Sequence, residues 1–138
     1  MLIGPEVGRE VWFTPKCEQK KLDEDGSYQA TRYLLKVPSA LDQVAIQDAE
    51  TRINTNTGQA YATIANSDLV ACRRCLIGWE NQGGYVDGKA VPVEFEGTPT
   101  GGASDKDVGR ILPRIRNEIK RRLVSLMEVT EEDLAQSA

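Results

Sequence analysis

Alternating hydrophobic and polar residues near the start of the chain predict two β-strands. Segments 10–15 (EVWFTP) and 30–37 (ATRYLLKV) are rich in β-branched and aromatic residues. The polar segment 20–27 (KKLDEDGS) between them has the composition of a turn. The pattern therefore predicts an antiparallel β-hairpin with a long connecting loop.

Helical spacing of hydrophobic residues predicts a first helix from Ala40 to about Ile53. Ser39 and Asp42 have the spacing of a capping box, in which a hydroxyl and a carboxylate satisfy free backbone N–H groups at a helix start. The residues that this spacing places on one helical face are Leu41, Val44, Ala45, Ala49 and Ile53. The polar segment 54–58 then predicts a loop.

A second amphipathic helix is predicted in the middle of the chain. Segment 59–65 fits either a short helix or a strand, and we interpret it as helix. Asn66 and Ser67 are typical N-cap residues for the helix that follows. This helix ends near Gly83 and carries one hydrophobic stripe: Leu69, Cys72, Leu76 and Trp79.

A small second β-hairpin is predicted over residues 85–95. Asp87 and Gly88 form a dipeptide that favours a type I′ turn, and alternating hydrophobic residues flank it. Pro92 places this hairpin at the edge of a sheet, because proline has no N–H to donate. The glycine-rich segment 97–103 that follows predicts a flexible loop.

The longest helical pattern runs from Asp105 to Glu128, after a capping box formed by Ser104 and Asp107. Its hydrophobic face consists of Val108, Leu112, Ile115, Ile119, Leu123 and Leu126. Pro113 interrupts the pattern, so the helix either kinks there or begins anew after Leu112. Together these elements predict an α+β fold in a single domain of residues 1–138, with three to four helices layered on a small sheet.

Length and composition indicate a folded, soluble protein. The chain has 138 residues, 40% of them hydrophobic and 28% charged, which is close to the average for one globular domain. Its start lacks the pattern of a signal peptide, and no stretch approaches the roughly 18 apolar residues of a membrane span. The odd number of cysteines, three, indicates reduced thiols. We therefore expect a cytosolic protein without a disulfide framework.

Net charge and histidine content make some classes of function less favoured for this chain. The formal net charge of -4 argues against the basic footprint of a nucleic-acid-binding protein. The chain has no histidine, which removes the commonest general base and the usual activators of serine and cysteine nucleophiles. Carboxylate pairs, lysine and tyrosine are still available for catalysis. The composition favours a non-catalytic protein that binds other proteins and needs no cofactor or metal.

Two short motifs partly match known chemical sites. Cys72 and Cys75 have the spacing of a redox pair or of half a zinc site, but Cys17 is the one other thiol. We interpret them as small buried side chains of a helix. Segment 97–104 (GTPTGGAS) nearly matches a P-loop, but Ala103 occupies the position of the required lysine. We therefore interpret this segment as a loop that does not bind nucleotides.

The last helix has a basic bias of the kind that can contact phosphates. Its basic residues are Arg110, Arg114, Arg116, Lys120, Arg121 and Arg122. At about 100° per residue, Arg110, Arg114 and Arg121 lie opposite the hydrophobic stripe. Glu118 is placed to pair with Arg122. We interpret this pattern as a solvated helix face and expect no nucleic-acid partner.

Hydrophobic residues in excess of what a small core needs are candidates for binding a protein partner. The candidates are Trp79, Ile115, Ile119, Leu123 and Leu126. A partner would bind them as a helix in a groove, or it would add a strand to an open sheet edge. Uncovered hydrophobic surface of this kind also predicts self-association. We expect no membrane partner.

Four short motifs follow one another in the second half of the chain: LIGW at 76–79, DGKAVPVEF at 87–95, ILPRI at 111–115 and VTEE at 129–132. In this order they resemble the tail assembly chaperones of long-tailed bacteriophages. In that family an amphipathic helix ends in Gly-Trp, a short hairpin follows, and a terminal helix closes the chain. The similarity covers residues 66–133 and, more loosely, the N-terminal strands. The glycine-rich loop before the terminal helix is longer than in the family pattern.

The resemblance implies a protein of the host cytoplasm that binds the tape measure protein, keeps it soluble and helps to recruit tail tube protein. It implies that the protein is absent from the mature virion. It also implies that this chain is the shorter of two forms made by ribosomal frameshifting, which requires an exposed C-terminus. The alternative is a small structural connector or tail subunit retained in the virion. An enzyme that uses carboxylates is the third interpretation.

Overall fold

The computed structural model describes residues 1–51 and 60–128, and their fold is α+β, as the sequence pattern predicts. The elements in chain order are β1 (Glu10–Phe13), α1 (Lys16–Glu24), β2 (Arg32–Lys36), α2 (Ala40–Thr51), α3 (Ala60–Cys75), β3 (Leu76–Glu80), β4 (Gly83–Val86), β5 (Lys89–Pro92), α4 (Asp105–Gly109) and α5 (Pro113–Met127). The loop predicted at 54–58 and the motif at 129–132 lie outside the described residues.

The larger sheet has three antiparallel strands in the order β1-β2-β3. β1 and β2 form the predicted pair, with Trp12 opposite Leu34 and Phe13 opposite Tyr33. β3 pairs with the other edge of β2 and places Trp79 opposite Tyr33. Because side chains alternate between the faces of a sheet, Phe13, Tyr33 and Trp79 share the face that contributes to the core. Trp12 and Leu34 share the outer face.

A helix replaces much of the loop that we predicted between β1 and β2. α1 includes residues 20–24, which the sequence analysis assigned to a turn. Its lysine, glutamate, glutamine and leucine residues are good helix formers, and the turn-forming residues Asp25 and Gly26 lie only at its end. Glu18 accepts hydrogen bonds from the Tyr28 hydroxyl (2.8 Å) and the Thr31 backbone N–H (3.2 Å). These bonds hold α1 against the start of β2.

The first predicted helix exists as α2, and Ala49 of its predicted face is buried, but Leu41 and Val44 of that face are not. Leu41 and Val44 are 75% and 62% exposed, whereas Asp42, Ile46 and Ala49 are buried. Asp42 is buried because it forms the predicted capping box with Ser39 and an ion pair with Arg74 of α3 (2.8 Å). That pairing turns the Asp42 side of the helix inward. Ile53, which we placed on the hydrophobic face, lies outside the described residues.

Both boundaries that we predicted for the second helix are wrong. α3 begins at Ala60 and continues through Asn66 and Ser67, so these residues do not cap a helix start. Ser67 is buried, and its hydroxyl donates to the Ile46 carbonyl of α2 (3.4 Å). α3 ends at Cys75, and the predicted stripe residues Leu76 and Trp79 belong to β3.

The last predicted helix divides at Pro113, which is one of the two outcomes that its ring allowed. α4 ends at Gly109, and α5 begins at Pro113, in the first helical turn where a missing N–H costs nothing. Leu112 lies in the break and is exposed, so it does not continue the hydrophobic face. The capping box of Ser104 and Asp107 forms as predicted.

The hydrophobic core joins the larger sheet to helices α2 to α5. Its buried members are Tyr33, Leu35, Ile46, Ala71, Cys72, Cys75, Leu76, Ala103, Val108, Ile111, Ile115, Ile119 and Leu123. Lys120 of α5 also forms an ion pair with Glu50 of α2. The stripe predicted on the last helix thus packs inward.

A buried carboxylate, Asp68, lies between α3 and α5. Asn117 donates its side-chain N–H groups toward both carboxylate oxygens (3.3 and 3.2 Å). Burial raises the pKa of Asp68, although the Asn117 hydrogen bond and the positive charge of Lys120 act against it. A raised folded-state pKa means that Asp68 favours folding at acidic pH and loses that contribution as pH rises through the folded-state pKa.

We therefore expect Asp68→Asn to increase the free energy of unfolding at pH 7 by about 1 kcal/mol, because it removes a buried charge. Urea unfolding at a series of pH values measures this difference. It should shrink as pH falls below the unfolded-state pKa, near 4, where the wild-type carboxyl becomes protonated in both states. A variant that is less stable than wild type at pH 7 would contradict the interpretation.

Candidate protein-binding surfaces

The structure divides the predicted protein-binding residues between the core and its margin. Ile115, Ile119 and Leu123 are buried, so they present little surface to a partner in this fold. Trp79 and Leu126 are only partly buried. Leu126 lines an apolar cavity of about 410 Å³ beside the N-terminal segment, together with Ile3, Pro5 and Val37. Ile115, Ile119 and Leu123 therefore serve the core, and the exposed hydrophobic side chains lie on other elements.

Trp79 anchors the segment that follows the second hairpin. Its indole N–H donates a hydrogen bond to the Val93 carbonyl (2.9 Å). Its ring meets the Phe95 ring edge to face, with the centroids 5.0 Å apart and the planes at 83°. The Val93 backbone N–H donates to the Gln82 carbonyl (2.9 Å). The motifs at 76–79 and 87–95 thus meet in one aromatic contact.

We expect Trp79→Phe to lower the free energy of unfolding by about 1–2 kcal/mol, because the Val93 carbonyl loses its donor while an aromatic ring is kept. Thermal and urea unfolding measure this loss. Tyr85→Phe is the matched control, because it also removes one polar hydrogen from an aromatic residue but at an exposed position. Equal stabilities of wild type and Trp79→Phe would show that the indole hydrogen bond contributes nothing.

The second hairpin forms as predicted and presents hydrophobic side chains to solvent. Asp87 and Gly88 have φ angles of 51° and 77°, as a type I′ turn requires. Tyr85 pairs with Ala90 across the hairpin and is 81% exposed, and Val86 is also exposed. In the described part of the chain, β4 and β5 pair only with each other. The hairpin is therefore a ribbon with two open edges and an exposed tyrosine.

The outer face of the larger sheet carries a second exposed aromatic residue. Trp12 is 42% exposed, and the Arg32 guanidinium lies 4.5 Å from the centroid of its ring, in a cation–π arrangement. Arg32 also pairs with Glu80 (3.0 Å). The outer face of the larger sheet therefore presents an exposed tryptophan ring beside the Arg32 guanidinium, which Glu80 holds in place.

The two thiols of the Cys-x-x-Cys motif belong to the core, as we interpreted them. Cys72 and Cys75 are both fully buried, and burial raises the pKa of each thiol to about 12. Both thiols therefore stay protonated at neutral pH, and a protonated thiol is a poor nucleophile and a poor metal ligand. Within residues 1–51 and 60–128, no three cysteine or carboxylate side chains are grouped to hold a metal ion.

The glycine-rich loop that we predicted to be flexible is anchored at several points. Gly102 has φ of 96° and is buried against the end of α3, where a Cβ would overlap the Arg73 carbonyl oxygen. Asp107 is fully buried and accepts backbone hydrogen bonds from Glu96 (2.9 Å), Gly97 (2.7 Å) and Ser104 (2.9 Å). One carboxylate thus closes the loop from both ends. The loop serves as a packed connection between the second hairpin and α4.

A polar cavity of about 510 Å³ lies beside this loop, at the end of α3. Its charged groups are largely paired, since Arg73 binds Asp105 (2.8 Å) and Arg74 binds Asp42 (2.8 Å). Lys36 is the fifth charged residue of the lining, so the two ion pairs leave a single positive charge to attract an anion. The cavity therefore fits a structural role for these ion pairs.

Three basic residues of α5, Arg116, Lys120 and Arg122, have polar contacts within the chain. Arg116 donates to the Val108 carbonyl (3.3 Å), and Arg122 donates to the Ser125 hydroxyl (3.4 Å). Glu118 accepts a hydrogen bond from the Lys16 backbone N–H (3.1 Å), an interaction with α1 that the predicted pairing with Arg122 did not anticipate. Arg114 and Arg121 are exposed, as the helical projection indicated.

Comparison of the chain with protein-family models, with curated proteins and with solved structures finds no match. In the described residues, every helix is too short or too polar to cross a membrane.

Proposed function

We propose that this chain is a tail assembly chaperone of a long-tailed bacteriophage. It binds the tape measure protein in the host cytoplasm, keeps this client soluble, and helps to bring tail tube protein to it. It leaves before the virion is complete. The protein acts by binding alone, without catalysis or a cofactor.

One observation carries this proposal: three of the four motifs on which the resemblance rests, those at 76–79, 87–95 and 111–115, pack together in one structural unit. Trp79 of the first motif holds Val93 and Phe95 of the second through a hydrogen bond and a ring contact. Ile111 and Ile115 of the third motif are buried in the same core. These contacts explain why the motifs occur together, because residues from each of them pack in the same part of the fold.

The second hairpin is the surface that fits a client best. Tyr85 and Val86 are exposed on a hairpin that is anchored to the core near its base by the contact between Trp79 and Phe95. Tyrosine offers a large contact area at a low cost in side-chain entropy, and aromatic residues are enriched in interfaces. The open edges of β4 and β5 can also accept an added strand. This surface replaces the α5 stripe as the proposed binding region.

Binding of purified protein to fragments of the tape measure protein from the same genome tests this surface. We expect Tyr85→Lys to weaken binding at least tenfold, the size of effect typical of an aromatic residue central to an interface. Leu41→Lys is the matched control, because it places the same charge at another exposed hydrophobic position without altering the hairpin. Equal affinities of both variants would exclude the hairpin as the client site.

Mass spectrometry of purified virions tests the class of protein separately. A chaperone is expected to be missing from the mature particle, whereas a connector or tail subunit would be present at a fixed ratio to the other tail proteins. Finding this chain in stoichiometric amounts in virions would contradict the proposal and support the structural alternative.

A further inference from the structure

β1 is an edge strand with an open outer side. In the part of the chain that the structure describes, β1 pairs with β2 alone. Natural edge strands are commonly protected from other chains by lysine, proline or a bulge within the strand. β1 has the sequence EVWF and carries neither lysine nor proline. Its edge is short and carries one charged residue, Glu10, but no proline, lysine or bulge within these four residues blocks pairing with another strand.

The backbone geometry shows which groups of β1 point outward. Gly8, with φ of 81°, donates to the Val37 carbonyl (3.0 Å), and Val37 donates to the Arg9 carbonyl (2.8 Å). This is the pattern of a bulge with glycine in its first position, and it ends the regular ladder at Arg9. Hydrogen-bonded pairs alternate along an antiparallel ladder. The backbone N–H and C=O groups of Val11 therefore point toward β2, whereas those of Glu10 point away from it.

The same alternation turns the backbone N–H and C=O groups of Trp12 outward. Glu10 and Trp12 thus supply two donors and two acceptors along the open edge. Their side chains lie together on the outer face of the sheet, opposite Lys36 and Leu34 of β2. The exposed Trp12 ring and the Arg32 guanidinium beside it border this edge.

We propose that β1 pairs antiparallel with β1 of a second copy of this chain, so that two three-stranded sheets join across a two-fold axis. This dimer is independent of the proposed function, because it needs neither the second hairpin nor a client.

The outward backbone groups select one register. Glu10 hydrogen-bonds with the partner's Trp12, and the two-fold axis repeats this pair, which places Val11 opposite the partner's Val11. A shift by one residue would put core-facing side chains on the outer face. A shift of the register by two residues in either direction would require backbone pairing outside the strand, either at the Gly8–Arg9 bulge or at Thr14. The chosen register uses strand residues only.

Charge supports the same arrangement. In this register the Glu10 carboxylate lies opposite the partner's Trp12, next to the partner's Arg32. Negative and positive groups thus alternate across the junction, with Lys36 on the other side of Glu10. On the core face, Val11 contacts the partner's Val11. The interface is therefore self-complementary, as a two-fold contact has to be.

Light scattering and sedimentation of the full chain over a micromolar concentration range test the dimer. We expect a dimer for wild type and a monomer for Glu10→Pro, because proline removes an outward N–H while the bonds to β2 stay intact. Circular dichroism and the thermal midpoint report whether this variant keeps its fold. Trp12→Lys, which adds a charge at the junction, is a second disrupting variant. Tyr85→Lys is the control and is expected to remain dimeric.

A cross-link tests the register. In a Cys17→Ser background, Val11→Cys is expected to form an intermolecular disulfide under mild oxidation, because directly opposed side chains have Cβ atoms about 4.5–5.5 Å apart. Val86→Cys in the same background is the control and should not cross-link. A monomeric wild type, a dimer that persists in folded Glu10→Pro and Trp12→Lys, or equal cross-linking at both positions would overturn the proposal.

Discussion

Replacing Gly102 by alanine is expected to lower the free energy of unfolding by about 3 kcal/mol or more. Gly102 has φ of 96°, a conformation that L-residues rarely adopt, and its missing side chain leaves room for the end of α3. An added Cβ would overlap the Arg73 carbonyl oxygen and lie 3.1 Å from the carbonyl carbon. Both neighbouring atoms are backbone atoms, so the loop has to move. Backbone strain and overpacking therefore act together.

Gly101→Ala is the matched control for this substitution. Gly101 also has a positive φ, 85°, but an added Cβ there would meet no atom within 4 Å. The control should cost only the backbone strain, about 1–2 kcal/mol. Urea unfolding of both variants isolates the cost of the clash. Equal losses would show that the loop is not packed against α3 as the structure describes.

Asp107→Asn is expected to lower the free energy of unfolding by about 2–4 kcal/mol, although the side chains have nearly the same shape. The Asp107 carboxylate accepts three backbone N–H groups, from Glu96, Gly97 and Ser104. The amide of asparagine keeps one acceptor oxygen and turns a donor toward the remaining N–H groups. Buried donors without acceptors carry their full desolvation cost. Asp105→Asn, at an exposed position two residues earlier in α4, should cost less than about 1 kcal/mol.

The pH dependence of stability provides a second measurement of Asp107. Burial raises the pKa of its carboxyl, but the backbone hydrogen bonds from Glu96, Ser104 and Gly97 outweigh burial and hold the pKa below its usual value. A lowered folded-state pKa contributes stability above the unfolded-state pKa, near 4, and this contribution is lost as pH falls further. Wild type should therefore lose stability more steeply than Asp107→Asn below about pH 4. Parallel curves would contradict the assignment.

Local signals in the sequence were sufficient wherever neighbouring residues decide the structure. The Asp87–Gly88 turn depends on two adjacent residues that tolerate positive φ, and the capping box of Ser104 and Asp107 depends on residues three apart. Pro113 marked the interruption of the last helix in the same way, although the sequence left open whether the helix kinks or begins anew there; in the structure α5 begins at Pro113. In each case the determining interaction spans less than one helical turn.

Tertiary contacts decided the boundary of α3 and the buried face of α2, which we predicted wrongly from the sequence. Leu76 and Trp79 lie three apart, a spacing that suits a helix, yet both belong to a strand because β2 offers an edge to pair with. Asp42 is buried on α2 because Arg74, far away in sequence, neutralises its charge. The local pattern of hydrophobic residues does not show which distant residues will pair in the fold.

The candidate binding surface shows the same division. The stripe of Ile115, Ile119 and Leu123 was correctly recognised as hydrophobic, but a core face and a client-binding face have the same pattern in sequence. Tyr85 carried no separate signal, because alternation within a hairpin does not tell which face is covered. Its exposure follows from the absence of a neighbouring layer over β4 and β5 in the described part of the chain.

Co-expression with the tape measure protein encoded in the same genome tests the proposed function most directly. The quantity to measure is the fraction of the tape measure protein that stays in the supernatant after lysis, with this chain, with its Tyr85→Lys variant and with neither. We expect a soluble client with wild type and an aggregated client in the other two cultures. A tape measure protein that aggregates equally in all three cultures would contradict the proposed function.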